Sequence, residues 1–542
     1  YGLWGGRKGF VASTRTRWIG LLFISMAISL VIIDGTIVNT IFPKVIEDLA
    51  LTSTEVQWVQ ESYVLVFAST LLVWGSLADK IGRKRLLLIG IFIFIVASVW
   101  AGSTESAGEM IAARVVQGFG GATTLSLVNA NFQGKERGIA FAVWGATIGG
   151  MVAVGPVLGG WLATDFTWRW AFLINLPLGI LILAGLIYLI PESKAESGRK
   201  GIDWVGAAIS VVMFGTLVFG LIEGRVYGWI TPNPKNQFAV GDFVWPEDGL
   251  SVIPVALAIA AVTSVMFVFW ERKREREGKS VLLDLGLFSI ASFRNGSLAA
   301  MIISLGEFGL LFAIPLWLQN VLGLSPISSG LVLLWLAGGA FMASGIGGAL
   351  SGKLPPARAV QIGVGLELIG VAGIGLVASV DAGWGVIAPL LFVYGIGIGL
   401  ATAQLTGVIM VDVPMAQTGQ ASGSQSTVRQ IGSALGIAVL GSMLFTGTQA
   451  SFEDRLDELA VPQSQQVFIV DAVVDSAGGA IPGLAEGLTA QQVPHELAES
   501  IQDAAGDAFT DGAKWAAFAA AIFLLLGFAS TFRLGSRSKE KA

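Results

Sequence analysis

Fourteen apolar stretches, each close to the length of a membrane-crossing helix, dominate the chain. A helix needs about 20 apolar residues to cross the ~30 Å hydrocarbon core of a bilayer. Hydrophobic residues make up 54% of the 542 and charged residues 13%, against about 25% charged in soluble proteins. The sequence therefore predicts an all-α integral membrane protein. The predicted spans lie near 19–41, 57–78, 86–102, 110–130, 139–163, 169–190, 204–224, 250–270, 294–318, 328–350, 359–379, 385–409, 420–446 and 513–533.

Lysine and arginine are distributed unevenly between the connections, and basic connections tend to stay in the cytoplasm. If both termini are cytoplasmic, that side holds the 79–85 loop, the run 272–279 and both terminal segments. This asymmetry favours an even number of spans with both termini inside. The outer side then has five basic residues: Lys44, Arg169, Arg225, Lys235 and Arg455.

The two halves of the chain resemble each other weakly when one is shifted by 273 residues. This shift aligns 75–85 with 348–358 and Asp34 with Glu307, and transporters are often built from two related halves. The predicted organisation is a cytoplasmic N-terminus at 1–18, a six-helix bundle at 19–190, a two-helix insert at 204–270, a second six-helix bundle at 294–533 and a cytoplasmic tail at 534–542.

An acidic segment, 452–511, separates the last two predicted spans and falls outside the cytoplasm. Its ends are amphipathic and its middle, 477–483, is rich in glycine with one proline. The pattern predicts two short helices around a flexible turn. The segment could dock a periplasmic partner.

Several kinds of chemistry are disfavoured by composition. The chain has no cysteine and one histidine, His495, so disulfides, thiolate metal sites and cysteine nucleophiles are excluded. No phosphate-binding loop or nucleic-acid signature appears, and no nucleophile–base or metal constellation favours an enzyme. We expect no cofactor and no metal, with a proton or solute gradient as the source of energy.

Four sequence motifs lie in or beside the first five predicted helices. The first predicted helix contains Asp34-Gly-Thr-Ile-Val-Asn-Thr-Ile-Phe-Pro43, and the loop after the second reads Gly75-Ser-Leu-Ala-Asp-Lys-Ile-Gly-Arg-Lys-Arg85. The fourth contains Arg114-Val-Val-Gln-Gly-Phe-Gly-Gly121. The fifth carries the glycine-proline pattern Gly145, Gly149, Gly155, Pro156, Gly159 and Gly160.

With these motifs the chain resembles the major facilitator superfamily, and within it the fourteen-helix drug:proton antiporters, over nearly its whole length. The resemblance implies two pseudo-symmetric six-helix bundles plus two inserted helices. It also implies a multi-pass protein of the bacterial cytoplasmic membrane. The loop motif points only to the superfamily, whereas the helix-5 motif is the one associated with antiport.

Charged residues inside a membrane are functional candidates by default. Asp34 is the strongest candidate for a proton site, although it could instead fix helix 1 by hydrogen bonding. Glu307 is a second proton-binding or cation-binding candidate, and Glu61 either serves the cavity or is solvated near the outer interface. By resemblance, Arg114 belongs to the proton-coupling machinery and could pair with Asp34, or it is a static interhelical clamp.

The charged loop and the polar and aromatic side chains give two further groups of candidates. Asp79, with Arg83, Lys84 and Arg85, is expected to lock the cytoplasmic ends of the two halves in the outward-facing state. Its carboxylate can accept hydrogen bonds at a helix N-terminus, where the helix dipole favours an anion, and helix 13, starting near Gly419, is the candidate. The conformational-switch candidates are Gly75, Asp79, Gly82, Arg83, Lys84 and Arg85. The substrate-cavity candidates, for which packing or snorkelling is the alternative, are Asn39, Gln60, Trp144, Phe312, Trp317, Trp335 and Arg429.

The expected function is proton-coupled export of small lipophilic, cationic compounds by alternating access. An acidic and aromatic cavity suits such cations through charge pairing and cation–π contact. Export of lipids or lipid-like amphiphiles taken from the bilayer is the alternative. A non-transporting receptor or scaffold on the same fold is a third, less favoured interpretation.

Overall fold

The structure is a computed structural model that describes residues 14–534, with gaps within that range. The gaps are 50, 52, 121–126, 129–130, 133, 194–200, 235, 241–242, 351–353 and 415–416. Most of the predicted N-terminal segment and nearly all of the predicted tail therefore lie outside the described residues.

The first part of the chain folds into long helices joined by short connections. α1 and α2 are separated by three residues, and a single glycine, Gly82, separates α2 from α3. Gly82 has a φ of 122°, a conformation open to glycine but strained for other residues. The helices are α1 Thr14–Leu49, α2 Ser53–Ile81, α3 Arg83–Ala101, α4 Ala107–Gly118, α5 Gly134–Asp165, α6 Trp170–Leu173 and α7 Asn175–Leu189.

The predicted insert is a pair of helices with a structured connection. α8 spans Trp204–Ile222, the short α9 spans Gly224–Tyr227, and α10 spans Val252–Arg276. Between α9 and α10, β1 (Ala239–Val240) pairs antiparallel with β2 (Phe243–Val244). The side chains of Asp203 and Ser251 accept hydrogen bonds from backbone N–H groups in the first turns of α8 and α10, which fixes where these helices begin.

The second part repeats the long-helix pattern. A short 3₁₀ turn, Leu285–Ser289, leads into it. The helices are α11 Ala291–Asn320, α12 Pro326–Leu350, α13 Pro356–Val377, α14 Trp384–Met410, α15 Thr418–Glu458, α16 Gln463–Asp475, α17 Leu484–Ala490 and α18 His495–Thr531.

The region 452–511 is more regular than the sequence predicts. α15 has 41 residues and α18 has 37, about 60 and 55 Å at 1.5 Å per residue, so both exceed a ~30 Å bilayer core. The predicted amphipathic ends of the segment are therefore extensions of these two helices. The separate short elements of the region are α16, a 3₁₀ turn at Ile481–Gly483 and α17. Ala477 and Gly478, which follow α16, have positive φ values.

The chain is a multi-pass membrane protein. Ten of the described helical stretches are long and apolar enough to cross a membrane, and two shorter apolar stretches lie at Ser62–Ala78 and Ile327–Ala343. Each of the fourteen predicted spans overlaps a described helix. The fourth does so only in part, because 121–126 lie outside the described residues, and the total of fourteen stays a prediction.

Helix packing brings the two predicted bundles together. α1 packs on α5 and α7, while α11 packs on α15 and α18. α2 packs on α15, and α5 packs on α12 and α14. α8 packs on α2 and α15, so the predicted insert lies beside the contact between the two predicted bundles. The boundaries of the predicted domains stay a prediction.

The contacts between the predicted bundles lie at both ends of the molecule. At the end that carries the 79–85 loop, here called the basic end, a Cβ on Gly75 would lie 2.6 Å from the Gly419 carbonyl oxygen and 2.9 Å from the Gly423 Cα. At the opposite end, a Cβ on Gly160 would lie 2.8 Å from the Ile327 Cγ1. Glycine at 75 is therefore needed for direct backbone approach of α2 and α15.

Candidate functional site

An ion pair between α1 and α4 is fully buried. Arg114 Nη1 donates to Asp34 Oδ2 at 2.5 Å, and the two side chains are 1% and 0% exposed. Nearly five turns of α1 separate Asp34 from Arg17, a cation at its basic end that pairs with Glu136 of α5. An isolated charge at this depth would cost several kcal/mol. The pair therefore depends on mutual neutralisation.

Uncharged polar groups complete the coordination of the Asp34 carboxylate. Gln117 Nε2 and Asn175 Nδ2 donate to Asp34 Oδ1 at 2.7 and 3.2 Å. Both amides also donate to Ser98 Oγ, at 2.9 and 3.2 Å, and this hydroxyl donates to the Phe94 carbonyl at 2.7 Å. Each of these buried donors and acceptors therefore has a partner, as a buried polar network requires.

The guanidinium of Arg114 has partners besides Asp34. Its Nε donates to the Val59 carbonyl at 3.1 Å, and Nη1 donates to Gln117 Oε1 at 2.7 Å. Its Cζ lies 4.4 Å from the centre of the Tyr63 ring, within cation–π range. Neutralising Asp34 would thus remove the charge of its acid partner but leave Arg114 held by α2 and α4.

A second group of ionisable side chains lies in the other predicted bundle. Arg429 Nη2 of α15 lies 3.9 Å from Glu307 Oε2 of α11. Glu367 of α13 is 0% exposed and interacts electrostatically with both. The Tyr394 hydroxyl donates to the Glu307 backbone carbonyl at 3.0 Å, which ties α14 to α11.

Glu307 and Arg429 line a cavity of about 10 Å³, room for about one water molecule. Its other polar walls come from Ser304, Thr402, Thr406 and Gln425. Gln425 Nε2 donates to Thr406 Oγ1 at 3.1 Å. In this conformation the site is too small for a drug-sized compound, which needs some hundreds of Å³.

The switch candidates at 82–85 contact the end of α7 and the chain just after it. The backbone N–H groups of Lys84 and Arg85 donate to the two carboxylate oxygens of Glu192, both at 3.1 Å. Lys84 Nζ donates to the Ile187 carbonyl at 2.7 Å, and Arg83 N–H donates to the Ser193 carbonyl at 2.8 Å. A carboxylate at the N-terminus of α3 is favoured by the helix dipole.

The described glycines of the helix-5 motif lie at helix contacts. A Cβ on Gly155 would collide with Thr36 of α1, and one on Gly160 would contact Ile327 of α12. Gly159 is buried. α5 thus contacts α1 in one predicted bundle and α12 in the other at these glycines.

The aromatic candidates lie in packed or outward positions. Trp317 is buried and donates to Thr510 Oγ1 at 3.0 Å, and Trp144 is buried in the core of the first bundle. Phe312 packs on Phe445. Trp335 is 47% exposed and packs on Phe392. None of these four side chains lines the small cavity beside Glu307 and Arg429 or the larger cavity between α15 and α18 that is described below.

Seven candidates lie where the structure describes the helix but not the side chain or its surroundings. Their assigned roles, including the contact of one of them with the N-terminus of α15, stay predictions. They are Asn39, Gln60, Glu61, Asp79, Gly145, Gly149 and Pro156.

Comparison with known proteins assigns the family. Residues 24–437 match the model of the Major Facilitator Superfamily. The chain belongs to the major facilitator superfamily. No group of three His, Cys, Asp or Glu residues within the described ranges is arranged to hold a metal ion.

Curated relatives of this superfamily member are named for drug resistance. It is 30% identical over 479 residues to the multidrug resistance protein Stp of Mycobacterium tuberculosis (strain CDC 1551 / Oshkosh), covering 86% of this chain and 84% of that protein. It is 29% identical to the multidrug efflux pump LfrA of Mycolicibacterium smegmatis, covering 96% and 97%. It is 28% identical to the tetracenomycin C resistance and export protein of Streptomyces glaucescens, covering 94% and 91%.

Solved structures agree with the fold. The human organic anion transporter MFSD10 superposes with a TM-score of 0.54 at 13% identity, covering 95% of this chain and 98% of that one. A bacterial homologue of the lysosomal transporter Spinster superposes with a TM-score of 0.53 at 17% identity, covering 96% and 97%. The superfamily fold predicted from the motifs is confirmed.

Sequence reasoning missed several residues of the two clusters, and of the contact made by residues 82–85, in this superfamily member. Gln117 stands three residues after Arg114, a spacing that places both on one helix face, so it could have been found. Glu367 is an isolated acid in an apolar helix and carried the same signal as Glu307. Ser98, Asn175 and Glu192 gave no comparable signal, because only the fold brings them to their partners.

Proposed function

We propose that this protein exports small lipophilic, cationic compounds in exchange for protons, by alternating access. The observation that carries the proposal is the buried Asp34–Arg114 pair, a carboxylate with a full set of partners at membrane depth. The names of the relatives Stp and LfrA support efflux of drugs. The proposal places the protein in the bacterial cytoplasmic membrane with both termini cytoplasmic, and assigns it no cofactor and no enzymatic activity.

Proton binding acts on the charge balance of the first cluster. A proton on Asp34 neutralises the carboxylate and removes the ionic part of its 2.5 Å contact with Arg114. Arg114 cannot lose its own proton, so its charge is left to the Val59 carbonyl, Gln117 and the Tyr63 ring. Conformations that offer this guanidinium a new acceptor or water then become more favourable, which biases the transport equilibrium.

Rocking of the two bundles must open one of two glycine contacts. Opening the basic end separates Gly75 from Gly419 and Gly423, and opening the opposite end separates Gly160 from Ile327. The contact at Gly75 is backbone to backbone, and that at Gly160 is backbone to the Ile327 side chain, so neither has a long polar side chain that must unlock. They suit surfaces that close and separate in every cycle.

Efflux from proteoliposomes tests this function. A proton gradient should drive export of ethidium by the parent protein, and Asp34→Asn should abolish gradient dependence while the protein remains inserted. Asp48→Asn is the matched control, since Asp48 lies on the same helix but is exposed and pairs with Arg169. Equal loss in both variants, or gradient-driven efflux that survives Asp34→Asn, would contradict the proposed role of Asp34.

A cavity on the lateral face favours a second candidate, export of lipid-like amphiphiles. It has a volume of about 800 Å³ and lies between α15 and α18. Its walls combine apolar side chains, among them Met443, Trp515 and Phe518, with Asp511 and Lys514. An apolar pocket bordered by charges suits a molecule with a tail and a polar head.

Filling this cavity distinguishes the two candidates. Thr446→Trp places a large ring in the cavity wall. Thr448→Trp is unsuitable, because Thr448 is fully buried and a ring at that position would disrupt the core. For the control, Leu331→Trp puts the same ring on an exposed position of α12. Loss of transport of a fluorescent lipid by Thr446→Trp, with ethidium efflux retained, would favour amphiphile export. Loss of neither activity would remove the support that the cavity gives to this candidate.

A further inference from the structure

Two carboxyl groups share one cation in the second cluster. Arg429 lies 3.9 Å from Glu307, and Glu367 lies within electrostatic range of both. Within the described residues, neither carboxylate oxygen of Glu367 has a hydrogen-bond partner. Asp34 differs in this respect, because its carboxylate receives donors from three side chains.

The helices packed around Glu367 offer no other counter-charge. On α14 the one titratable side chain is Tyr394, and its hydroxyl donates to the Glu307 backbone. The stretch of α18 from Trp515 to Thr531 has no titratable residue. Besides Glu367, α13 itself has only Arg358, at its exposed first turn, and Arg533, in the 3₁₀ turn Phe532–Leu534 that also packs on α13, is exposed. The charges that act on Glu367 are therefore those of Glu307 and Arg429.

Close packing surrounds the backbone and the stem of Glu367. A Cβ on Gly397 of α14 would lie 2.5 Å from the Glu367 nitrogen and 2.6 Å from its Cγ. The small cavity beside Glu307 is not lined by Glu367. A buried carboxylate with no hydrogen-bond donor and no ion-pair partner among the described residues is strongly disfavoured in its ionised form and takes up a proton instead.

We propose that Glu367 binds a proton in this conformation and that the Glu307–Glu367–Arg429 cluster exchanges this proton during transport, as a second proton-binding unit beside Asp34. With one proton the cluster is electrically neutral, since Arg429 balances the Glu307 carboxylate. Glu307 borders the cavity with Thr406 and Gln425, so it is the member of the pair through which the proton reaches water when the bundles move. The inference rests on the proposed function for its coupling role.

Infrared spectroscopy of the purified protein tests the binding of the proton without any transport. The parent spectrum at neutral pH should contain the carbonyl stretch of a protonated carboxyl that is absent after Glu367→Gln. Glu277→Gln is the control, because Glu277 is partly exposed and pairs with Lys279, and it should leave that band unchanged. Glu367→Asp keeps a carboxyl and should shift the band, which serves if the glutamine variant does not fold.

Proton counting tests the exchange. The number of protons moved per ethidium, measured in proteoliposomes, should fall by one in Glu367→Gln relative to the parent and stay unchanged in Glu277→Gln. A purely structural role for Glu367 would leave this ratio unaltered. A band that persists in Glu367→Gln, or a ratio that does not change, would overturn the proposal. If the parent exports no cation, the proposed function fails, but the infrared result still decides whether Glu367 holds a proton.

Discussion

Removing one member of the Asp34–Arg114 pair leaves the other buried without its counter-charge, and the two removals should not cost the same free energy of unfolding. Breaking a buried ion pair from one side typically costs about 3–5 kcal/mol. In Asp34→Asn the guanidinium stays charged, because arginine cannot be deprotonated in proteins. It keeps the Val59 carbonyl, Gln117 and the Tyr63 ring, so we expect the lower end, about 3 kcal/mol.

Arg114→Met leaves a carboxyl group, which can neutralise itself by binding a proton. Asp34 also keeps its amide donors from Gln117 and Asn175. We therefore expect a smaller loss, about 2 kcal/mol, the scale of a hydrogen bond to a charged group. The double variant removes both charges and should cost no more than about 2 kcal/mol, since neutral replacements of buried pairs are often tolerated. The resulting coupling energy is about 3 kcal/mol.

Unfolding in mixed micelles by an anionic detergent, followed by circular dichroism, gives the four free energies of this cycle. Asp48→Asn controls for the loss of a carboxylate from α1. A coupling energy below about 0.6 kcal/mol, the average for hydrogen bonds between membrane helices, would refute the reasoning. So would a larger loss in Arg114→Met than in Asp34→Asn.

Three further outcomes follow from the described contacts. Gly75→Val should force α2 away from α15 at a cost of about 1–3 kcal/mol, enough to shift the equilibrium between the closed and open states of the basic end about tenfold. Labelling of single cysteines placed at the basic end of this cysteine-free chain measures this shift. Hydrogen bonds from Arg169 and from the indole of Trp168 lower the pKa of Asp48. The stability that the Asp48 carboxylate adds to the folded protein is therefore present above the ordinary aspartate pKa near 4, and it is lost as the pH falls through the lowered pKa. Thermal unfolding of Asp48→Asn and parent should therefore converge in acid. Trp317→Phe removes the donor to Thr510 and should cost about 1 kcal/mol, measured by the same micelle unfolding.

The sequence was sufficient for the helical architecture because bilayer thickness sets the length of each apolar run. It failed where a helix continues into water. The end of α15 near Glu458 and the start of α18 at His495 are amphipathic and polar, so a hydropathy pattern ends each helix too early. The helices continue because they pack on each other, with Arg455 paired to Asp507 and Asp511 across the two.

The candidate site shows the same division between local and long-range information. A charged residue in an apolar helix, such as Asp34 or Glu307, is visible in the sequence because it is expensive to bury. Its partner is not visible, because pairing depends on which helices meet. The internal repeat places Asp34 and Glu307 in corresponding helices, yet the cation comes from the fourth helix of the first bundle and from the fifth helix of the second, where Arg429 lies.

Each cluster draws all its members from a single predicted bundle. The helices from α1 to α7 carry the first cluster, which consists of Asp34, Ser98, Arg114, Gln117 and Asn175. The helices from α11 to α15 carry the second, which consists of Glu307, Glu367, Tyr394 and Arg429. During synthesis the first bundle emerges before the second exists. Because its acid and its arginine already neutralise each other, it can settle in the bilayer without waiting for a counter-charge from the rest of the chain. The compensation of charge within each bundle thus makes membrane insertion modular, one bundle at a time.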